Sequence, residues 1–322
     1  MTVRSLFGIS VIAGLGACVS AGAQTPFDLI GADLSRSPIR LVELTPSEVV
    51  WADASDDTAM LPLDSALGIV ARGVGQSDSS DLGVLRALTF EPSVLTLTDG
   101  RRLTGSLSAQ ADLPEVLRWQ HAVLGTVDVP LEQIDRLVLQ RATIGGGSTD
   151  PLPPSDRSDV VLLRNGDRLE GFVVDLGRDA VIEVDGREVV VPMESVHQLA
   201  LANPREAWDG PMVWLRDGSV LGASEVLFDG GLFVLVDEEA ELTEAEGLSA
   251  TIRPENIEAV SFDTRRLVPV SRLVEDAEPS TAGVFGARAI ELAGEDSVRV
   301  DLPDGATRLV LTAELPLRAR AW

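Results

Sequence analysis

The sequence predicts an all-β protein, a tandem row of small five-stranded barrels followed by a β-rich tail. Three observations predict it. A strand–turn–strand pattern at 94–105 recurs at 160–171 and, more loosely, at 212–222. A second pattern follows each copy: Val-Pro or its equivalent, an acid, then one more short apolar strand. Between the two, apolar residues alternate with polar ones at period two, and little of the chain has a helical period.

The first residues read as an address. Arg4 precedes an apolar run from Leu6 to Ala17, and Ala21-Gly22-Ala23 has the small-x-small form of a signal-peptidase site. The run is shorter than the roughly 20 residues a membrane span needs. We therefore expect residues 1–23 to be a signal peptide and the mature chain to carry no transmembrane segment. Leu15-Gly16-Ala17-Cys18 also resembles a bacterial lipoprotein box, which would make Cys18 a lipidated first residue. Cys18 is the only cysteine, so cleavage after Ala23 leaves no disulfide and no thiolate chemistry.

A partial first unit is expected at 24–72, because only its ending is recognisable: Leu61-Pro62-Leu63-Asp64-Ser65-Ala66, then Gly68-Ile69-Val70. A linker at 73–92 is rich in Gly, Ser and Asp. Unit two spans 93–144 and unit three 159–203, separated by a flexible Gly-Ser-Pro joint at 145–158. Unit four spans 204–263 and contains an acidic insertion. The endings begin at Leu61, Val129, Val191 and Ile252, a spacing of 68, 62 and 61 residues. That regularity argues for one element copied, with loops of variable length.

Within a unit the strands follow from residue type. Val161, Leu163, Leu169, Gly171 and Val173 place apolar and small residues on one face, with Arg164, Asp167 and Arg168 between them. The turns Asp99-Gly100, Asn165-Gly166 and Asp217-Gly218 tolerate positive φ and suit tight hairpins. Gly105 and Gly171 lie mid-strand, where glycine is costly unless the strand bends or another backbone comes close. The proline of Val-Pro ends a strand, and Leu131-Glu132-Gln133-Ile134 has room for one tight helical turn before the last strand.

These residues resemble the first motif of Sm-like proteins. Over Asp159 to Val184 there is a strand, a turn with Gly166, a strand with Gly171, then Asp175 and a third strand. The resemblance implies a strongly bent five-stranded barrel of the Sm-like or SH3-like type. It does not imply RNA binding: Gly177, Arg178 and Asp179 stand where the family places Asn, and Val-Pro replaces its Arg-Gly. Tandem units of this style also resemble envelope proteins of planctomycete-type bacteria. The tail at 264–322 offers three strands near 287–292, 297–303 and 307–312. They resemble the closing strands of galactose-binding-like carbohydrate modules, and imply an incomplete copy of one.

Composition narrows function. The chain carries 51 acids against 26 basic residues, a net charge of −25. That excludes nucleic acid as an expected partner and favours a cation or a basic partner. Only two histidines exist. His197 occupies a position that is Asp135 or Glu258 in other units, and His121 lies beside Trp119 near a strand start; both read as structural. No catalytic elbow or dinucleotide-binding glycine motif occurs, and no cofactor is expected. Weak calcium candidates are Asp53, Asp56 and Asp57, and Asp237, Glu238 and Glu239 in the acidic insertion, though neither group fits a defined calcium loop. The aligned acids Asp64, Glu132, Glu194 and Glu255 read as caps of the short turns. Trp214, at an outward strand position, either stacks on sugar or packs against a neighbouring barrel. The reading is an exported, non-enzymatic interaction or scaffold protein whose partner is a protein or polysaccharide of the cell envelope. The rivals are carbohydrate binding through the tail, or an accessory role in a longer hydrolase.

Overall fold

The computed structural model describes residues 26–53, 55–72, 92–108, 115–139, 152, 157–206, 208–237 and 248–264. The signal segment with Cys18, most of both linkers, Glu238 and Glu239, and the tail after Thr264 lie outside the described residues. The architecture is all-β and antiparallel, and no described helix is long and apolar enough to cross a membrane.

Each unit has the same order of elements. Unit one has β1 (Phe27–Gly31), β2 (Arg36–Leu44), β3 (Glu48–Ala52), β4 (Thr58–Pro62) and β5 (Ala66–Ala71). Unit two has β6 (Ser93–Leu97), β7 (Arg102–Leu107), β8 (Val116–His121), β9 (Gly125–Pro130) and β10 (Ile134–Val138). Unit three has β11 (Asp159–Leu163), β12 (Arg168–Leu176), β13 (Asp179–Val184), β14 (Arg187–Pro192) and β15 (Val196–Ala200). Unit four has β16 (Met212–Leu215), a second strand split into β17 (Val220–Gly222) and β18 (Glu225–Asp229), then β19 (Leu232–Asp237), β20 (Leu248–Ile252) and β21 (Ile257–Ser261). The first stretch, expected to be partial, thus carries five strands as well. A single 3-10 turn precedes the last strand everywhere: Leu63–Ser65, Leu131–Gln133, Met193–Ser195 and Pro254–Asn256.

In every unit the fifth strand turns back onto the first, as β1–β5, β6–β10, β11–β15 and β16–β21. The turn after the first strand is fastened to the 3-10 turn by one backbone hydrogen bond that recurs four times. The amides of Ala32, Thr98, Arg164 and Arg216 donate to the carbonyls of Ser65, Gln133, Ser195 and Asn256.

The three Asp-Gly and Asn-Gly hairpins are alike atom for atom. Oδ1 of Asp99, Asn165 and Asp217 accepts the amide two residues on, at 2.9, 3.0 and 2.8 Å. Only the glycine takes positive φ: 87° at Gly100, 92° at Gly166 and 91° at Gly218. The amides of Gly100, Gly166 and Gly218 also donate to Leu97, Leu163 and Leu215. These are three-residue loops with a glycine bulge, a geometry that leaves the Asp or Asn in ordinary backbone space. Unit one uses a different turn, with Leu34 at φ 60°.

The mid-strand glycines admit a crossing backbone. A Cβ on Gly105 would stand 2.2 Å from the Gln120 carbonyl oxygen, and one on Gly171 2.2 Å from that of Glu183. Counting from the turn, their counterpart in unit four is Ala223; Gly222 lies one residue earlier and does a different job, giving room to the Trp208 ring. Asp159 holds the bend of β12: Oδ2 accepts the Val173 amide at 2.6 Å and Oδ1 the Ala202 amide at 2.7 Å.

The units join by strand pairing, in the spatial order one, four, two, three. One antiparallel sheet runs β2–β1–β5–β21–β16–β17–β7–β6–β10–β15–β11–β12. Every pairing between units matches a position with its own counterpart. Counted from the 3-10 turns, Ile69, Leu137, Leu199 and Val260 are equivalent; Ile69 pairs with Val260 and Leu137 with Leu199. Counted from the turn glycine, Arg102 pairs with its counterpart Val220. Between units one and four, Leu44 of β2 also pairs with its counterpart Phe228 of β18. Each junction is therefore a local two-fold within one chain, the self-complementary contact expected of a symmetric dimer. Each fifth strand sits between two neighbouring strands, and in β5 all six residues are buried, so both of its faces are covered. One core runs through all four units, including Leu29, Ile69, Leu95, Leu137, Val161, Leu199, Val213 and Val260.

Candidate functional site

A polar cluster is buried where units two and four meet. β7 supplies Arg102 and Thr104, β8 ends in His121, and the turn between β16 and β17 supplies Asp217 and Ser219. His121 therefore closes a strand rather than opening one. Ser219 is fully buried and His121 is 1% exposed, whereas Arg102 is half-buried and Asp217 reaches solvent at the rim. The glycine hairpin places Ser219 here, because the same turn that bonds Asp217 to the Ser219 amide points its hydroxyl at unit two.

A serine, a histidine and an aspartate converge, so the proton positions decide what the cluster does. His121 Nδ1 accepts two backbone amides, from Val123 at 3.1 Å and Leu124 at 3.0 Å. The ring proton must therefore sit on Nε2, which donates to Ser219 Oγ at 2.9 Å. Ser219 Oγ also accepts the Thr104 amide at 3.0 Å, and its own proton goes to Thr104 Oγ1 at 2.7 Å. In a catalytic triad Nε2 accepts the serine proton and the acid holds Nδ1. Here the polarity is reversed, Asp217 lies 3.6 Å from Nε2 rather than at Nδ1, and both lone pairs of Ser219 are occupied. The cluster cannot generate a nucleophile; it is a clasp between two units. Burial pushes the His121 imidazole below its usual range, against a raising effect of Asp217. Burial likewise lowers Arg102, again opposed by Asp217, and Arg102 Nε is buried without a hydrogen-bond partner. Sequence reading singled out Asp217 and His121 separately, but nothing in their spacing shows that they meet.

The connector from unit three to unit four fastens the same seam. Asn203 Nδ2 donates to the carbonyls of Leu131 and Ile134, and Arg205 Nε meets Asp135 Oδ1 at 2.7 Å. Trp208 donates its amide to the Asp99 carbonyl, and the Arg101 guanidinium lies 4.9 Å from its ring centroid. Trp208 is thus wedged between Arg101 of unit two and Gly222 of unit four.

The other candidates are dispersed. Asp53 Oδ1 accepts the amides of Ser55 and Asp57, and Asp56 pairs with Arg40. Asp237 ends β19 in a different unit. Among the described residues no group of three or more His, Cys, Asp or Glu is placed to hold a metal ion. Asp64, Glu132, Glu194 and Glu255 are exposed in the first turn of their 3-10 turns, and none of these turns has a side-chain cap. The capping expectation is corrected accordingly: Pro62, Pro130, Pro192 and Arg253 hold the cap positions in extended backbone. Trp214 is buried against Ile30, Leu67 and Val70 of unit one, so its ring packs between units.

Compared with protein-family models, curated proteins and solved structures, the chain matches none. The reading of function therefore rests on the geometry.

Proposed function

We propose that this chain is an exported, non-enzymatic scaffold of the cell envelope or periplasm that presents rigidly joined β units to a partner. The observation that carries the reading is the clasp at Ser219. Where nucleophile, base and acid types converge, every side-chain hydrogen-bonding atom of the serine and histidine is already engaged: Ser219 Oγ and His121 Nε2 across the seam between the units, and His121 Nδ1 by two amides of its own unit. What the units leave outside is repeated sheet surface. The order of five strands, with a 3-10 turn before the last and the fifth strand on the first, supports reading each unit as an Sm-like small barrel. Export rests on the segment at 1–23, with the lipid box at Cys18 as the competing anchor. The strong negative charge supports a protein partner with basic surface over nucleic acid.

The test is affinity capture by the intact protein from envelope extracts, run beside titration with cell-wall and plant polysaccharides. Saturable capture of a protein without polysaccharide binding is expected. Polysaccharide binding that depends on 264–322 would replace this reading with the carbohydrate one, and capture of nothing would end it.

A further inference from the structure

We propose that the outer face and free edge of β14 in unit three dock an extended segment of a partner protein. That segment places a basic side chain beside Glu188 and an aliphatic one, two residues on, beside Val190. The proposal deepens the scaffold reading and rests on it.

Two rows of side chains cross this face. The first is apolar. Val181 pairs with Val190, and Val174 sits at the bulge where β12 crosses Val181. Val190 is 59% exposed, Val174 43%, and Phe172 on the same face of β12 is 62% exposed. The second row is acidic. Phe172 pairs with Glu183, and Glu183 pairs with Glu188. Both glutamates are exposed. Like charges directly across a strand pair are destabilising, so this row gains from a cation placed beside it.

The face is specific to this unit. In unit two Arg118 and Asp128 stand in the places of Val181 and Val190, paired through two hydrogen bonds of 2.7 and 2.9 Å, and Gln120 and Thr126 stand in the places of the two glutamates. In unit four Thr251 stands in the place of Val190. Unit one repeats the apolar row with Val42, Val50 and Met60, but Ala52 and Thr58 replace the two glutamates. Only unit three combines both rows.

The edge decides the form of the occupant. Among the described residues β14 pairs only with β13, so its other side offers backbone groups to an added strand. Side chains of a strand alternate between faces, so the outward positions of an added strand recur every two residues. Beside Glu188 and Val190 they must be basic and then aliphatic. A second copy of this chain is a poorer occupant, because a net charge of −25 repels itself.

The probe is a short fluorescent peptide in which threonine alternates with lysine and valine in turn, titrated into the intact protein and read by anisotropy. Binding is expected at low salt and is expected to weaken as salt rises. Val190→Asp and Glu188→Lys should each weaken it about tenfold or more. Glu188→Lys should instead gain affinity for the same peptide with glutamate in place of lysine. Binding unchanged by both variants, or no binding of the lysine peptide, overturns the proposal. So does self-association of the wild type that Val190→Asp abolishes, which would make the face a contact between copies. If the wild type captures an envelope protein but does not bind the lysine peptide, and Val190→Asp captures as well as the wild type, this site is wrong and the scaffold reading stands; if the wild type captures nothing, that reading falls with it.

Discussion

Gly166 and Gly171 are glycine for opposite reasons, and substitution separates them. Gly166 has open space where a side chain would go but a φ of 92°, so Ala there costs about 1–2 kcal/mol of backbone strain. Asn, which visits the left-handed region more readily, should recover part of that. Gly171 has ordinary φ but no room, because a Cβ would meet the Glu183 carbonyl. Gly171→Ala must push β12 and β13 apart, at about 1–3 kcal/mol, and Gly171→Asn should be worse rather than better. Urea unfolding of the four variants checks this; equal rescue by Asn at both sites would refute the distinction. His121 gives the pH dependence. Its folded value is lowered, so below about 6.5 the unfolded chain binds a proton that the folded chain refuses. Stability should fall as pH drops from 7 toward 5, by at most about 1.4 kcal/mol per pH unit. His121→Asn keeps an acceptor for the two amides and does not titrate, so its melting temperature should start lower and stay flat across that window. Asp128, lowered chiefly by its hydrogen bond from Arg118, loses stability only at more acid pH, as its folded value is crossed. Glu258, raised by burial, acts with the opposite sign.

Among the elements, the bent strand β12 depends on one acid. Asp159→Ala would leave the Val173 and Ala202 amides without their charged acceptor. A cost of about 2–4 kcal/mol is expected, with faster hydrogen exchange at those two amides in particular. Exchange that rises evenly over the unit would show instead that Asp159 is not specific to the bend. The elements were legible wherever local chemistry dictates them. Asp-Gly and Asn-Gly demanded turns, Val-Pro demanded strand ends, and the mid-strand Gly105 and Gly171 foretold close backbones. Unit one looked partial because its first hairpin turns through Leu34 and carries no Asp-Gly pair. The looser copy at 212–222 ends one residue short of the true counterpart of Gly105 and Gly171, Ala223, because a glycine that gives room to Trp208 sits just before it. The pairing of fifth strands left a trace that alternation cannot show. Ala66 to Ala71 contains no polar residue at all, which marks a strand covered on both faces, but not by which neighbour. The clasp was beyond reach, since Thr104 and His121 meet Ser219 across 115 and 98 residues.

At the scale of the molecule, the two-fold junctions make unequal seams. Units one and four share two pairings, β5–β21 and β2–β18, and units two and three share the pairing of β10 with β15. The two pairs are joined to each other by β7–β17, where the strand pairing is confined to Arg102 and Val220. So short a pairing cannot hold the halves together, and the polar clasp and the Trp208 wedge must supply the rest. Ser219→Ala removes the hydroxyl without adding bulk to the fully buried site. It leaves the Thr104 amide and His121 Nε2 buried without a partner, at about 1–3 kcal/mol for each. The loss falls on the seam and not on either core. The intact protein should therefore unfold in one calorimetric transition over its four units, and Ser219→Ala should split it into two, one for each pair. Trp208→Ala should act in the same direction by removing the wedge between Arg101 and Gly222, although Trp208 itself lies outside every strand. A single transition that merely shifts to lower temperature in both variants would mean that the continuous sheet alone makes the molecule cooperative.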